Sequence, residues 1–198
     1  MKRLSLYLFL VFFTLPTPSQ ADDIRDFQIE GMSLGDSALD YFSEEEIKKE
    51  TNINIYSYKK DKTFVQTAFS TTKHNFNTYE IVMIEYKKND KDYIIHGLSG
   101  KIISIYKNDI EACFKKQDKV FKELSQMFKN QKINPTSIKT HPADKSGKSK
   151  VRMSSFQFNQ RDIVIVACYN YHKDMPYSSN FKVNLFTNEL NEWLYENN

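Results

Sequence analysis

The first 21 residues constrain this chain most, because they predict where the folded domain begins and in which compartment it folds. A short positively charged stretch is followed by residues 4–15, which are apolar apart from Ser5 and Thr14. Prolines end this run, and small side chains occupy the two positions that a signal peptidase reads before the cut. This order is typical of a secretory signal peptide. We therefore predict cleavage between Ala21 and Asp22, and a mature chain of residues 22–198.

The alternative for this segment is an uncleaved membrane anchor. A spanning helix needs about 20 apolar residues, and the run over residues 4–15 is much shorter. No later segment is long and apolar enough to span a bilayer, so we expect no membrane span in the mature chain. The sequence thus predicts a periplasmic or secreted protein.

The charge of the mature chain differs from that of the whole sequence. The full chain has 28 Lys and Arg against 25 Asp and Glu. Removal of Lys2 and Arg3 leaves 26 against 25, so the mature protein is close to neutral. A neutral balance argues against binding to nucleic acid or to an anionic membrane. Residues 22–198 are long enough for one hydrophobic core and are interpreted as a single domain.

The two cysteines are predicted to form a disulfide. An even number of cysteines in an oxidising compartment favours pairing. Cys113 lies on the apolar stripe of a helical pattern, and Cys168 ends a β-branched run typical of a buried strand. A helix packed on a sheet would bring the two together. The alternative is a pair of buried free thiols.

The pattern of apolar residues along the mature chain predicts an α+β fold. We expect a mainly antiparallel sheet, one long central helix packed on a face of it, and short terminal helices. The central helix spans about residues 108–129, and residues 130–150 are predicted to be the longest loop. The strand-like segments are residues 64–70, 79–87, 93–98, 101–106, 151–158, 162–169 and 181–186.

Turn and capping residues set the predicted boundaries. Asp36 is predicted to cap a first helix, and Ser43 with Glu46 forms the capping-box pattern of a second. Turns are expected at Asn89-Asp90, Ser99-Gly100 and Asn159-Gln160, and a cap for the last helix is expected at Thr187 or Asn188.

One short motif resembles part of an enzyme family. Gly35-Asp36-Ser37 is similar to the first block of GDSL-type esterases, in which the serine is the nucleophile. That family supplies the base as an Asp-x-x-His motif, and no acidic residue lies three positions before any histidine here. The competing interpretation is a turn with a helix cap. The four histidines are dispersed without metal-site spacing, so no metal or other cofactor is predicted.

The most distinctive loop surrounds His141, Asp144 and Lys145. It contains a titratable base, a carboxylate and a lysine, and loops often carry binding residues. We predict that these three residues form a region that contacts a ligand. The competing interpretation is an ordinary connection.

Residues 29–42 carry the clearest resemblance to other proteins. Their core, Gly31-Met32-Ser33-Leu34-Gly35-Asp36-Ser37, is similar to the opening of exported bacterial proteins of unknown function, and residues 109–119 and 164–169 resemble the same group. This likeness implies export and a single domain. A fainter similarity is to small envelope proteins of the outer-membrane-assembly lipoprotein type, which open with a Gly-x-Ser turn, two short helices and an antiparallel sheet. This chain lacks their lipid-bearing cysteine.

These observations favour one function and leave a second open. The favoured function is a non-enzymatic binding or interaction module of the bacterial periplasm, with a protein or small ligand as its partner and without nucleic acid. The alternative is a hydrolase-like enzyme whose site is assembled from distant residues, at Ser37 or at the loop with His141 and Asp144. A concave pocket at that loop would favour the enzyme.

Overall fold

An eight-stranded antiparallel sheet forms the centre of the protein. The computed structural model describes residues 23–52, 61–158 and 161–196, so the signal segment and its predicted cleavage site lie outside the described residues. The strand order is β1-β2-β3-β4-β8-β7-β6-β5. The strands are β1 Thr51–Asn52, β2 Phe64–Ser70, β3 Ile81–Lys87, β4 Gly97–Ile102, β5 Lys132–Thr140, β6 Lys150–Gln157, β7 Ile163–Asn170 and β8 Asn180–Phe186.

Helices cover both faces of this sheet. The helices α1 Glu44–Glu50 and α2 Ile110–Met127 pack on one face with the N-terminal segment, and α3 Asn188–Glu196 packs on the other. We call these the α2 face and the α3 face. The predicted α+β class, with a mainly antiparallel sheet and a long central helix, is therefore confirmed.

The central contact of the α2 face joins α2 to β7. Cys113 on α2 and Cys168 on β7 form a disulfide with their Cα atoms 6.0 Å apart. One turn later, the Gln117 side-chain amide donates to the carbonyl oxygens of Val166, at 2.9 Å, and Arg152, at 3.2 Å. A buried amide is stable there because its hydrogen bonds replace those it made to water. The helix is thus held to the sheet by covalent and polar links as well as by apolar packing.

The predicted turn at Ser99-Gly100 is wrong, because β4 continues through it. The two strands predicted over residues 93–98 and 101–106 are replaced by this one strand. Gly100 lies in the strand because the Tyr79 ring fills the space of its missing side chain: an added Cβ would meet that ring at 2.5 Å. The glycine therefore serves a close packing contact and not a reversal of the chain.

The long loop predicted over residues 130–150 is also wrong in its first half. Residues Lys132–Thr140 form β5, which pairs with β6 and has a register shift between Asn134 and Ser137. Its polar sequence conceals the strand because an edge strand with two exposed faces carries no apolar alternation. The predicted turn at Asn159-Gln160 lies outside the described residues, although the flanking strands β6 and β7 do pair antiparallel.

Two of the three predicted helix caps agree with the structure. Ser43 and Glu46 form the capping box of α1, and the Thr187 hydroxyl accepts from the Leu190 amide at the start of α3. Asp36 caps no helix: its carboxylate accepts from the Ser33 amide at 2.8 Å and holds the preceding turn. Ser37 instead caps a short 3₁₀ helix, Ala38–Asp40.

Candidate binding site at the basic end of the sheet

Positive charge is concentrated at one edge of the sheet. Residues 129–152 comprise β5, the connecting loop and the start of β6, and they carry seven Lys and Arg against one Asp. The remainder of residues 22–198 has 19 Lys and Arg against 24 Asp and Glu. The near-neutral total therefore conceals a strong local excess. We call residues 129–152 the basic end.

The single carboxylate of the basic end is used inside its own loop. Asp144 is only 7% exposed. It accepts hydrogen bonds from the Ser146 hydroxyl at 2.6 Å, the Ser146 amide at 2.9 Å and the Ser149 amide at 2.7 Å. Hydrogen bonding by Ser146 and Ser149 holds the pKa of Asp144 well below its usual range. The ionised carboxylate thus organises the loop, and its oxygens are engaged by these donors and largely covered from solvent.

The cations of the basic end are mostly exposed. Lys139, Lys145 and Lys148 are exposed on β5 and on the loop. Arg152 differs from them because its guanidinium pairs with Asp118 of α2 at 2.7 Å and donates to the Gln117 side-chain oxygen at 2.8 Å. One arginine is therefore structural, and the lysines remain available to a partner.

Four rings line the same end on the α3 side, and we call them the aromatic cluster: His141, Tyr169, Tyr171 and Tyr177. The rings of Tyr169 and Tyr171 stack with centroids 5.9 Å apart, and Tyr171 contacts His141 at 5.0 Å and Tyr177 at 5.2 Å. Tyr177 is 49% exposed, so one side of the cluster reaches solvent. Such rings offer a partner apolar area with little loss of conformational entropy.

The histidine of the aromatic cluster is held neutral. Its Nδ1 accepts from the Ala143 amide at 3.2 Å, so the proton of the neutral ring lies on Nε2, which is 3.3 Å from the Tyr171 hydroxyl. Burial lowers the pKa of His141, although the nearby Asp144 opposes the shift. Burial also raises the pKa of Tyr171. The contact between His141 and Tyr171 holds the loop after β5 against the end of β7, and both side chains are neutral.

The three residues predicted to contact a ligand thus lie in one loop with three different roles. His141 belongs to the aromatic cluster, Asp144 holds the turn, and Lys145 is exposed. Neither the aromatic cluster nor the strand β5 was predicted from the sequence. The three tyrosines between residues 169 and 177, in an otherwise polar stretch, were the available signal.

Ser37, the alternative nucleophile, is occupied as a helix cap. Its hydroxyl donates to the Asp92 carbonyl at 2.6 Å and accepts from the Leu39 amide at 3.2 Å. These partners are backbone groups, and neither can act as a general base.

A separate shallow cleft of about 400 Å³ gathers other titratable groups. Arg25, His96, Asp162 and Glu189 line it. His96 Nδ1 lies 3.6 Å from a Glu189 carboxylate oxygen, and burial lowers the pKa of His96. Burial also raises the pKa of Asp162, against a hydrogen bond from the Asn188 amide. The predicted loop at residues 141–145 does not line this cleft.

The described residues contain no metal cluster and no membrane-spanning helix. Within residues 23–52, 61–158 and 161–196, no three His, Cys, Asp or Glu side chains are grouped so that they could hold a metal ion. No helix in these ranges is both long enough and apolar enough to cross a membrane.

Comparisons with known proteins identify no relative of this chain. No protein-family model, no curated protein sequence and no solved structure matches the chain significantly.

Proposed function

We propose that this protein is an exported binding module whose basic end binds an acidic region of a partner protein. The observation that carries this proposal is the burial of Asp144 in its own loop. Because the only carboxylate among residues 129–152 is buried in its own loop, the exposed charges of that end are cationic. Such a surface attracts an acidic partner and repels a basic one.

Apolar side chains at the same end support a protein partner. Ile133 is 41% exposed and Ile138 is 65% exposed, and both lie on β5. Charge orients an encounter, whereas the burial of apolar and aromatic side chains supplies most of the affinity. A protein surface offers both kinds of contact, whereas a simple polyanion offers charge alone.

The disulfide and the opening segment support a location outside the cytoplasm, since disulfides persist in oxidising compartments. Mass spectrometry of the protein from its host should find Asp22 as the first residue. Thiol labelling of the unfolded, unreduced protein should find no free thiol. An intact N-terminus with two free thiols would contradict export.

The binding proposal is tested by charge reversal at the basic end. Binding of residues 22–198 to polyglutamate is measured by calorimetry, with Lys139, Lys145 and Lys148 changed together to Glu. We expect binding to weaken about tenfold or more, because the attraction becomes repulsion. The matched control changes three exposed lysines of α2 to Glu, with the same change in net charge and an expected loss below about twofold: Lys115, Lys119 and Lys122.

Two results would contradict this proposal. Equal losses in both triple variants would mean that polyglutamate responds to net charge and not to the basic end. Equal binding of dextran sulfate and of an acidic protein segment would mean that the site is a general polyanion site.

The enzyme alternative is supported by the cleft at His96 and not by Ser37 or His141. A neutral histidine beside a carboxylate can act as a general base. If this alternative holds, hydrolysis of a small activated ester should be slower in His96→Gln than in the unchanged protein. Equal rates in both, at the level of free imidazole in solution, would exclude it.

A further inference from the structure

We infer that β5 receives its partner by strand addition, and that the partner segment alternates acidic and apolar residues. This inference rests on the proposed function and specifies the form of the acidic partner. An extended segment would pair with the outer edge of β5 and continue the sheet as its next strand. Three features of β5 favour such a partner: its position, its register with β6 and its charge.

Within the part of the chain that the structure describes, β5 has one edge without a neighbouring strand. Of the two strands that end the described sheet, β1 has two residues and β5 has nine. An edge strand directs alternate backbone N–H and C=O groups away from the sheet, where a further strand can bond to them. The nearly complete exposure of β5 leaves this edge accessible.

The register divides the side chains of β5 between the two faces. Ile133 is paired with Phe156 and Ile138 with Arg152. Phe156 belongs to the core of the α2 face, and Arg152 bonds to Gln117 of α2. Both exposed isoleucines therefore lie on the α2 face of β5.

The lysines of β5 lie on the opposite face. Lys139 is paired with Val151, which packs in the α3-side core, and Lys132 is paired with Gln157. Because of the register shift between Asn134 and Ser137, both halves of β5 place their isoleucine on the α2 face and their lysine on the α3 face. Without such a bulge, the odd spacing from 133 to 138 would place the isoleucines on opposite faces.

The complementary strand follows from this division. Side chains of neighbouring strands meet on the same face, where apolar pairs and opposite charges are favourable. A partner strand would place apolar residues beside Ile133 and Ile138, and carboxylates beside Lys132 and Lys139. Because side chains alternate along a strand, its sequence would alternate acidic and apolar residues.

The lysines of β5 disfavour a second copy of β5 as the partner. Lysines, a proline and a bulge are the devices by which edge strands avoid pairing with each other, and β5 has Lys132, Pro135, Lys139 and the register shift. Two β5 strands side by side would place lysines against lysines. The edge thus selects by charge, which is how a specific interface rejects a competing partner.

The test compares labelled peptides in which only one property differs. A short peptide that alternates glutamate and valine is measured by fluorescence anisotropy against residues 22–198. The first control has the same composition with the glutamates in one half and the valines in the other. The second control alternates lysine and valine. The third is the glutamate–valine peptide with every other backbone amide methylated, and it is made in two versions, one for each set of alternate amides. We expect the alternating acidic peptide to bind about tenfold more tightly than each of the first two controls, and one methylated version to lose binding.

A variant of β5 tests the apolar half of the argument. Ile138→Thr keeps a β-branched side chain suited to a strand but removes apolar area. Ile105→Thr is the matched control, because Ile105 is 62% exposed, almost the same fraction as Ile138, and lies outside β5. We expect about tenfold weaker peptide binding in the first variant only, with equal unfolding midpoints in both.

The outcomes separate this inference from the proposed function. If polyglutamate binds at the basic end but the alternating and block peptides bind equally, strand addition is wrong and the proposed function stands. The same conclusion follows if both methylated peptides bind like the parent. If neither polyglutamate nor any peptide binds, both proposals are wrong.

Discussion

The centre of the sheet and its basic end are built from the same antiparallel pairing but differ in almost every other respect. On β7, Val164, Val166 and Cys168 are fully buried under α2. On β5, almost every side chain is exposed. The centre therefore provides stability, and the basic end presents a surface that can change without loss of the fold.

The two regions also treat the same residue type differently. Lys182 lies on β8 directly opposite Lys101 of β4, and both are half-buried on the α3 face. Lys139 on β5 is exposed. Lys101 and Lys182 therefore lie side by side as like charges that are partly removed from water. Lys139 is available to a partner.

The largest expected effect comes from removal of the disulfide at the centre. Changing Cys113 and Cys168 together to Ala should lower the free energy of unfolding by about 4 kcal/mol, because the unfolded chain regains the freedom of a loop that spans a separation of 55 residues. Urea unfolding at neutral pH measures this loss. A loss below about 1 kcal/mol would mean that α2 packing alone holds the centre.

A smaller loss is expected where the backbone approaches an aromatic ring. Gly100→Ala should destabilise the protein by about 1–3 kcal/mol, since the new methyl group would overlap the Tyr79 ring. Ser137→Ala on the exposed β5 is the control and should stay within about 0.5 kcal/mol. Equal unfolding midpoints for the two variants would mean that the centre of the sheet tolerates an added methyl group as well as the exposed edge tolerates a substitution.

The burial of Lys182 can be tested by titration. Desolvation lowers the pKa of Lys182 to about 8, while Glu85 opposes the shift. NMR of the lysine side-chain groups should therefore show Lys182 losing its proton near pH 8. Because the folded-state pKa is lowered, the contribution of this group to stability is present above the unfolded value and is lost as the pH falls through about 8. Loss of the Lys182 proton only near the ordinary lysine pKa of about 10.4 would disprove the desolvation of Lys182.

The smallest effect is local to the loop of the basic end. Asp144→Asn should reduce hydrogen-exchange protection of the Ser146 and Ser149 amides at neutral pH, because a neutral side chain accepts more weakly. In the unchanged protein the lowered pKa of Asp144 adds stability above its unfolded value of about 4, and this is lost only as the pH falls through the lower folded value. Asp174→Asn, on the neighbouring exposed turn, is the control. Unchanged protection of these amides in Asp144→Asn would mean that the carboxylate does not hold the loop.

Sequence reasoning succeeded where a local signal and the tertiary structure agree. The segment Phe64–Ser70, the capping box at Ser43 and the cysteine pairing were all predictable, since each follows from alternation, capping chemistry or helix-on-sheet packing. It failed at Gly100 and at β5. In both cases the local signal for a turn or loop was overridden by a distant neighbour, the Tyr79 ring or the strand β6.

The candidate site shows the same division. The loop of His141, Asp144 and Lys145 could be singled out from residue types alone. The aromatic cluster could not, because Tyr171 reaches His141 only when β7 and the end of β5 lie at the same end of the sheet. The cleft at His96 likewise joins residues that are far apart in the chain.

By itself the sequence determined the α+β class, the long central helix and the pairing of two cysteines, because periodicity and residue chemistry are local properties. Only the tertiary structure decided which charges remain exposed. It buried Asp144 in its own turn, paired Arg152 with Asp118 and left Lys139 in solvent. Charge at a surface depends on which groups find partners, and those partners are chosen by the folding of distant segments against one another.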